Sequence, residues 1–141
     1  MKRIVVGIDG SAQGWSALTN AAELARATGA VLQVAYISPP VSAFEAMDYQ
    51  VGGTGWVEVQ ENFAQGLLRE AVSRVKDCGV EVSVVSRVGL PAETLAQLAG
   101  APDVTMAVVG HRGRNLATRL LVGSVADRLV QISPKPVLVI R

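Results

Sequence analysis

Val104-Thr105-Met106-Ala107-Val108-Val109 runs straight into Gly110-His111-Arg112-Gly113, and nine residues later the chain reads Gly123-Ser124. An apolar run of this kind is a buried strand, and here it empties into a glycine-punctuated loop before a helix restarts. Such a junction suits a phosphate: glycines let backbone N–H groups approach an anion, and a helix N-terminus offers free donors and a positive dipole end. A plainer reading stands beside it. The glycines could merely relieve turn strain, with Ser124 as an ordinary N-cap, since Ser124 and Asp127 match the S-x-x-D capping box.

Working outward, strands and helices alternate. Ile4 to Ile8 reads as a buried strand closed by Asp9-Gly10-Ser11, and Ser11 can cap a helix to about Thr28, with Trp15, Leu18, Ala22 and Ala25 on one stripe and Gly29 as its stop. Val31 to Ile37 is a second strand, ended by Ser38-Pro39-Pro40. Residues 41–55 read as a surface loop. From Trp56 to Asp77 the residues Trp56, Val59, Phe63, Leu67, Ala71 and Val75 recur at helical spacing. Val80 to Val88 is a more exposed strand, with Val80, Val82 and Val84 alternating against Glu81 and Ser83. Pro91 opens a short helix to about Ala99. Ser124 to Ile132 is the last helix and Val137 to Ile140 the last strand. Strict alternation implies a parallel sheet with helices on both faces, and ligands of such sheets sit at the carboxyl ends of the strands, where the strand order reverses. If the first and fourth strands are neighbours there, Gly7-Ile8-Asp9-Gly10-Ser11 and 110–124 line one crevice. Asp9 could then accept from ribose hydroxyls, or it could be a turn aspartate bonding its own backbone.

Composition agrees with one α/β domain, residues 1–141. Half of the 141 residues are hydrophobic and only 4% aromatic, the aliphatic bias of a sheet covered on both faces. A net charge of +1 gives no basic field for nucleic acid. Locally, however, Arg112, Arg114, Arg119, Arg128, Lys135 and Arg141 face Asp127 alone, so positive charge gathers around the glycine loop. The lone Cys78, at a helix end, reads as a small apolar residue without a disulfide partner. Met1-Lys2-Arg3 and the short apolar stretch after it, broken by Asp9, do not make a signal peptide, and no apolar run approaches ~18 residues. A cytoplasmic protein without membrane contact is expected. No Gly-x4-Gly-Lys-Ser/Thr occurs, and Gly7, Gly10 and Gly14 are wrongly spaced for a dinucleotide fingerprint.

Val5-Val6-Gly7-Ile8-Asp9-Gly10-Ser11, Gly123-Ser124-Val125-Ala126-Asp127-Arg128-Leu129 and Pro134-Lys135-Pro136-Val137-Leu138-Val139-Ile140-Arg141 together resemble the universal stress protein family. The likeness covers the whole chain and is weakest over residues 41–60. The nucleotide-binding branch of that family carries Gly-x2-Gly-x9-Gly-Ser/Thr, matched here at Gly110, Gly113, Gly123 and Ser124. The resemblance implies a doubly wound, Rossmann-like domain similar to the adenine nucleotide alpha hydrolases, with a five-stranded parallel sheet in the order 3-2-1-4-5. It implies binding of ATP, ADP or AMP, with or without magnesium. Asp9 would hold the ribose, the backbone of Gly7 and Ile8 would lie near adenine, and Tyr36 would contact the base. Val109 would flank the ribose or base, and Gly110, Gly113, Gly123, Ser124 and Val125 would enclose the phosphates, with His111 and Arg112 in the same loop. The family commonly has histidine at the position of Ala35 and a smaller aliphatic at Tyr36, so this tyrosine would either stack on the base or fill part of its pocket.

The role expected is that of a stress-response regulator whose shape or partner choice follows nucleotide occupancy, with an unidentified protein partner and a homodimer through residues 137–140. Two other readings remain at this point: a slow ATPase or phosphotransferase, and a dimeric interaction protein with an empty pocket. Phosphoryl transfer needs a metal ligand in line, and no Asp or Glu lies within 104–126, so no catalytic residue and no metal ligand is assigned.

Overall fold

The structure is a computed structural model that describes residues 1–40, 54–111 and 123–141. Its centre is β1 (Arg3–Ile8), where Val5 and Val6 are wholly buried because both faces of the strand are covered. Hydrogen bonding orders the sheet β3-β2-β1-β4-β5, with β2 at Val31–Ser38, β3 at Val82–Val88, β4 at Val104–Gly110 and β5 at Val137–Ile140. Every neighbouring pair is parallel, as short crossovers through helices require. The chain is thus a single α/β domain with the expected strand order.

Among the described residues, four helices make the crossovers: α1 (Ala12–Thr28), α2 (Thr54–Val75), α3 (Pro91–Ala99) and α4 (Ser124–Ile132). Side-chain alternation along the strands builds two cores. Ile4, Val6 and Ile8 of β1, with Leu32, Val34 and Tyr36 of β2, pack against α1 and α2. Val5, Ala35, Ile37, Ala107 and Val109 face the other way, toward Leu95 and Ala99 of α3 and Ala126 and Leu129 of α4. The crossovers through α1 and α2 cover one face and those through α3 and α4 the other, and the strand order reverses between β1 and β4.

Local chemistry accounts for the ends of α1. Ser11 caps its start by accepting from the Gly14 N–H, and Gly29 ends it in a left-handed conformation, φ 68°. The face of α1 turned to the sheet is mostly alanine, which lets the helix approach closely: Ala17, Ala21, Ala22 and Ala25 are all buried.

Two patterns differ from the sequence reading. On α2, Leu67, Ala71 and Val75 are buried as expected, but Val59 and Phe63 are exposed and Ala64 turns inward in their place. Phe63 nevertheless touches β2, its ring lying against that of Tyr36. Around β3, Val80 and Val82 pack against the core under α1 and α2 as expected, but Val84 on the same face is exposed and Val85, on the other, is buried. β3 forms one edge of the sheet, which agrees with its mixed composition. Residues 41–53, most of the expected surface loop, lie outside the described residues.

Candidate functional site

A crevice of about 340 Å³ opens across the carboxyl ends of β1, β2 and β4, within the usual ligand-pocket range of about 300–1,000 Å³. Parallel pairing sets its floor, since Ile8 lies beside Tyr36 in the register of β1 and β2. Gly7, Ile8 and Asp9 come to it from β1, Ala35, Tyr36, Ile37 and Pro39 from β2, and Val109 and Gly110 from β4. One wall is α3, through Pro91 and Leu95, and the far end is the first turn of α4, from Gly123 to Ala126. The strand reversal therefore brings the two loops singled out in the sequence to one place.

Asp9 is the only charged side chain among the described residues that line the crevice. Its Oδ1 accepts from the backbone N–H of Ser11 at 2.9 Å and from the Ser11 hydroxyl. The turn reading of Asp9 is therefore realised, and it leaves Oδ2 without a donor among the described residues. Gly10 makes the turn with φ 84°, a region most side chains avoid. Gly7 is needed for space, because a Cβ there would lie 2.7 Å from Leu95 Cδ1 on the crevice wall.

At the other end, α4 begins at Ser124 as expected, but its N-cap is Gly123 and not Ser124. The capping-box reading is corrected accordingly. Ser124 is already helical, and Asp127 instead accepts from the Gln131 side chain at 3.1 Å. The first intrahelical bond is Asp127 N–H to Gly123 C=O, so helix geometry leaves the N–H groups of Ser124, Val125 and Ala126 without a carbonyl inside the helix. They lie at the crevice with the positive end of the helix dipole.

His111 marks the root of the loop. Its N–H donates to the Ile140 carbonyl, and its own carbonyl accepts from the Gly123 N–H at 2.6 Å. The backbone of His111 thereby ties the ends of β4 and β5 to the start of α4, and the residue does not line the crevice. Arg112 and Gly113, together with Arg114 and Arg119, lie outside the described residues.

Tyr36 reaches the crevice, yet its ring lies 5.7 Å from that of Phe63 and belongs to the core under α1 and α2. Alternation puts Ala35 and Ile37 on the other face, among the side chains under α3. Sequence reasoning missed Gly14, Ala35, Ile37, Pro39, Pro91, Leu95 and Ala126. Pro91 and Leu95 were within reach, since they share one face of α3 at i and i+4 spacing.

Glu93 and Arg128 join the outer ends of α3 and α4 through an exposed ion pair of 3.1 Å. Glu93 has its carboxyl held below the ordinary value, first by its own backbone N–H in the opening turn of α3 and then by the Arg128 side chain. Among the described residues no helix is long and apolar enough to cross a membrane, and no three His, Cys, Asp or Glu side chains are grouped to hold a metal.

The model of the universal stress protein family matches residues 1–141. The chain is 30% identical to universal stress protein YxiE of Bacillus subtilis (strain 168), covering 99% of this chain and 98% of that one. It superposes on a universal stress protein from Lactobacillus plantarum with a TM-score of 0.85 at 24% identity, over 99% and 97% of the two chains. A crystal structure of a universal stress protein in complex with cAMP gives a TM-score of 0.77 at 28% identity, over 99% and 97%.

Proposed function

The chain belongs to the universal stress protein family, and from that premise we propose that the β1/β4 crevice binds an adenine nucleotide and that occupancy sets the regulatory state of the protein. The observation that carries this reading is the juxtaposition of a fixed carboxylate, Asp9, with the uncapped first turn of α4 across one apolar-walled cavity. The complex of a relative with cAMP supports it.

The residues suit the ligand class. Ala35, Ile37, Leu95 and Val109 offer aliphatic surface for a base, Asp9 an acceptor for ribose, and the α4 N-terminus donors for a phosphate. ATP is the form that the family resemblance implies at Gly110, Gly113, Gly123 and Ser124. Binding rather than turnover is proposed, because Asp9 is the one carboxylate that borders the crevice among the described residues and its Oδ1 is already engaged by Ser11. The proposed assembly is a homodimer through β5.

Titration of the purified protein with ATP and AMP, with and without magnesium, tests the reading. Saturable binding at one site per chain is expected, together with adenine nucleotide released on denaturation. Failure of both nucleotides to bind at millimolar concentration would overturn it.

A further inference from the structure

We infer that Ser11 is the positioning residue of this site and that, by occupying one oxygen of Asp9, it makes the carboxylate select for a single ribose hydroxyl. The inference rests on the nucleotide reading above and concerns how that reading is implemented. Three observations converge on it.

First, both donors of Ser11, its N–H and its hydroxyl, go to the same oxygen, Oδ1. A carboxylate offers about four lone-pair sites over two oxygens, and here one oxygen is committed to the protein while Oδ2 keeps its full capacity. Asp9 therefore presents a ligand with one oxygen, Oδ2, instead of the two parallel oxygens that would grip a vicinal diol.

Second, the same Ser11 hydroxyl accepts from the Gly14 N–H at 3.0 Å. The orientation of the hydroxyl is thus dictated: its lone pair meets the helix, so its proton goes to Asp9. The cap of α1 and the aim of the carboxylate are set by one atom.

Third, the space that this arrangement needs is kept by Gly14. A Cβ there would stand 2.8 Å from Asp9 Oδ1 and 3.2 Å from the Ser11 hydroxyl. Gly14 sits inside a helix, where glycine is otherwise unfavourable, and the close approach of the carboxylate accounts for it. Asp9 is consequently held at the crevice end of β1 by a hydroxyl on one side and a glycine on the other.

The experiment is calorimetric titration of AMP, 2′-deoxy-AMP and 3′-deoxy-AMP into the full chain and into Ser11→Ala, Ser11→Asp and Ser11→Thr. The parent should lose about tenfold or more in affinity with one deoxy analogue and less than about threefold with the other, the scale of one hydrogen bond to a charged group. In Ser11→Ala the affinity for AMP should fall and the two analogues should become equivalent within about twofold. Ser11→Asp retains an N-cap acceptor for α1 and so keeps the helix start; like Ser11→Ala it keeps the backbone N–H on Oδ1 but lacks the hydroxyl that fixes the carboxylate's aim, and it should lose the discrimination in the same way. Ser11→Thr keeps the hydroxyl and should restore it. Equal losses with both analogues in the parent would overturn the inference, as would discrimination that survives in Ser11→Ala or Ser11→Asp. A parent that binds neither AMP nor ATP would overturn the nucleotide reading itself, and one that binds ATP but not AMP would overturn this inference alone; both failures are visible before any variant is made.

Discussion

A Cβ at Gly110 would lie 2.8 Å from the backbone carbonyl of Gln13, where the first turn of α1 crosses the end of β4. Backbone cannot retreat as a flexible side chain can, so this glycine is required by packing, whatever else it does. Gly110→Ala should therefore destabilise the protein by about 1–3 kcal/mol, the ordinary cost of overpacking a tight contact, and urea unfolding of the variant without ligand measures it. An unchanged midpoint would show that α1 yields there. The position also shows what spacing can and cannot reveal. Gly110 satisfies a phosphate-loop pattern, yet half of its reason is a helix 97 residues earlier in the chain. Asp9 was legible because a carboxylate at a strand end has few uses. The direction of the Tyr36 ring was not, because it depends on which face of β2 is turned to α2 and so on pairings that no local pattern contains.

Whole elements were the most legible part. α3 and α4 fall on the residues expected from their periods, from Pro91 and from the glycine before Ser124. In the early part of α2 and on the edge strand β3 the hydrophobic period stopped predicting burial, since Val59, Phe63 and Val84 are exposed. The pairing of α3 with α4 gives a testable pH effect. The carboxyl of Glu93 is held below 4.5 by its own N–H and by Arg128, so its charged form favours the folded state. That contribution is complete above pH 4.5 and is lost as the pH falls through the lower folded value. Glu93→Gln should lower the melting temperature slightly at pH 7, and the difference from the parent should vanish in acid; a difference that persists unchanged at low pH would assign it to helix propensity instead. The effect should also shrink in salt, since the pair is exposed.

For the molecule as a whole, the open question is what covers β5. Among the described residues nothing pairs with its outer edge. The carbonyls of Pro136 and Ile140 accept from β4, so alternation turns the N–H and C=O of Val137 and Val139 outward. Antiparallel pairing of two β5 strands about a two-fold axis would satisfy both sets. Val139→Pro removes one outward donor without touching the bonds to β4, and light scattering at micromolar concentration should show the parent as a dimer and the variant as a monomer. A monomeric parent would end the proposal. Sequence alone supplied the strand and its apolar character; the outward direction of these particular groups required the register of β4 against β5. One further consequence follows from His111, whose carbonyl receives the Gly123 N–H while its N–H is anchored on β5. These bonds belong to the backbone, and they bring the two ends of segment 112–122 to a single point. Closing a segment twice as long would cost only about 0.6 kcal/mol more. The junction of β4, β5 and α4 is therefore fastened by His111 and Gly123 themselves, and its cost depends little on how many residues of the chain lie between them.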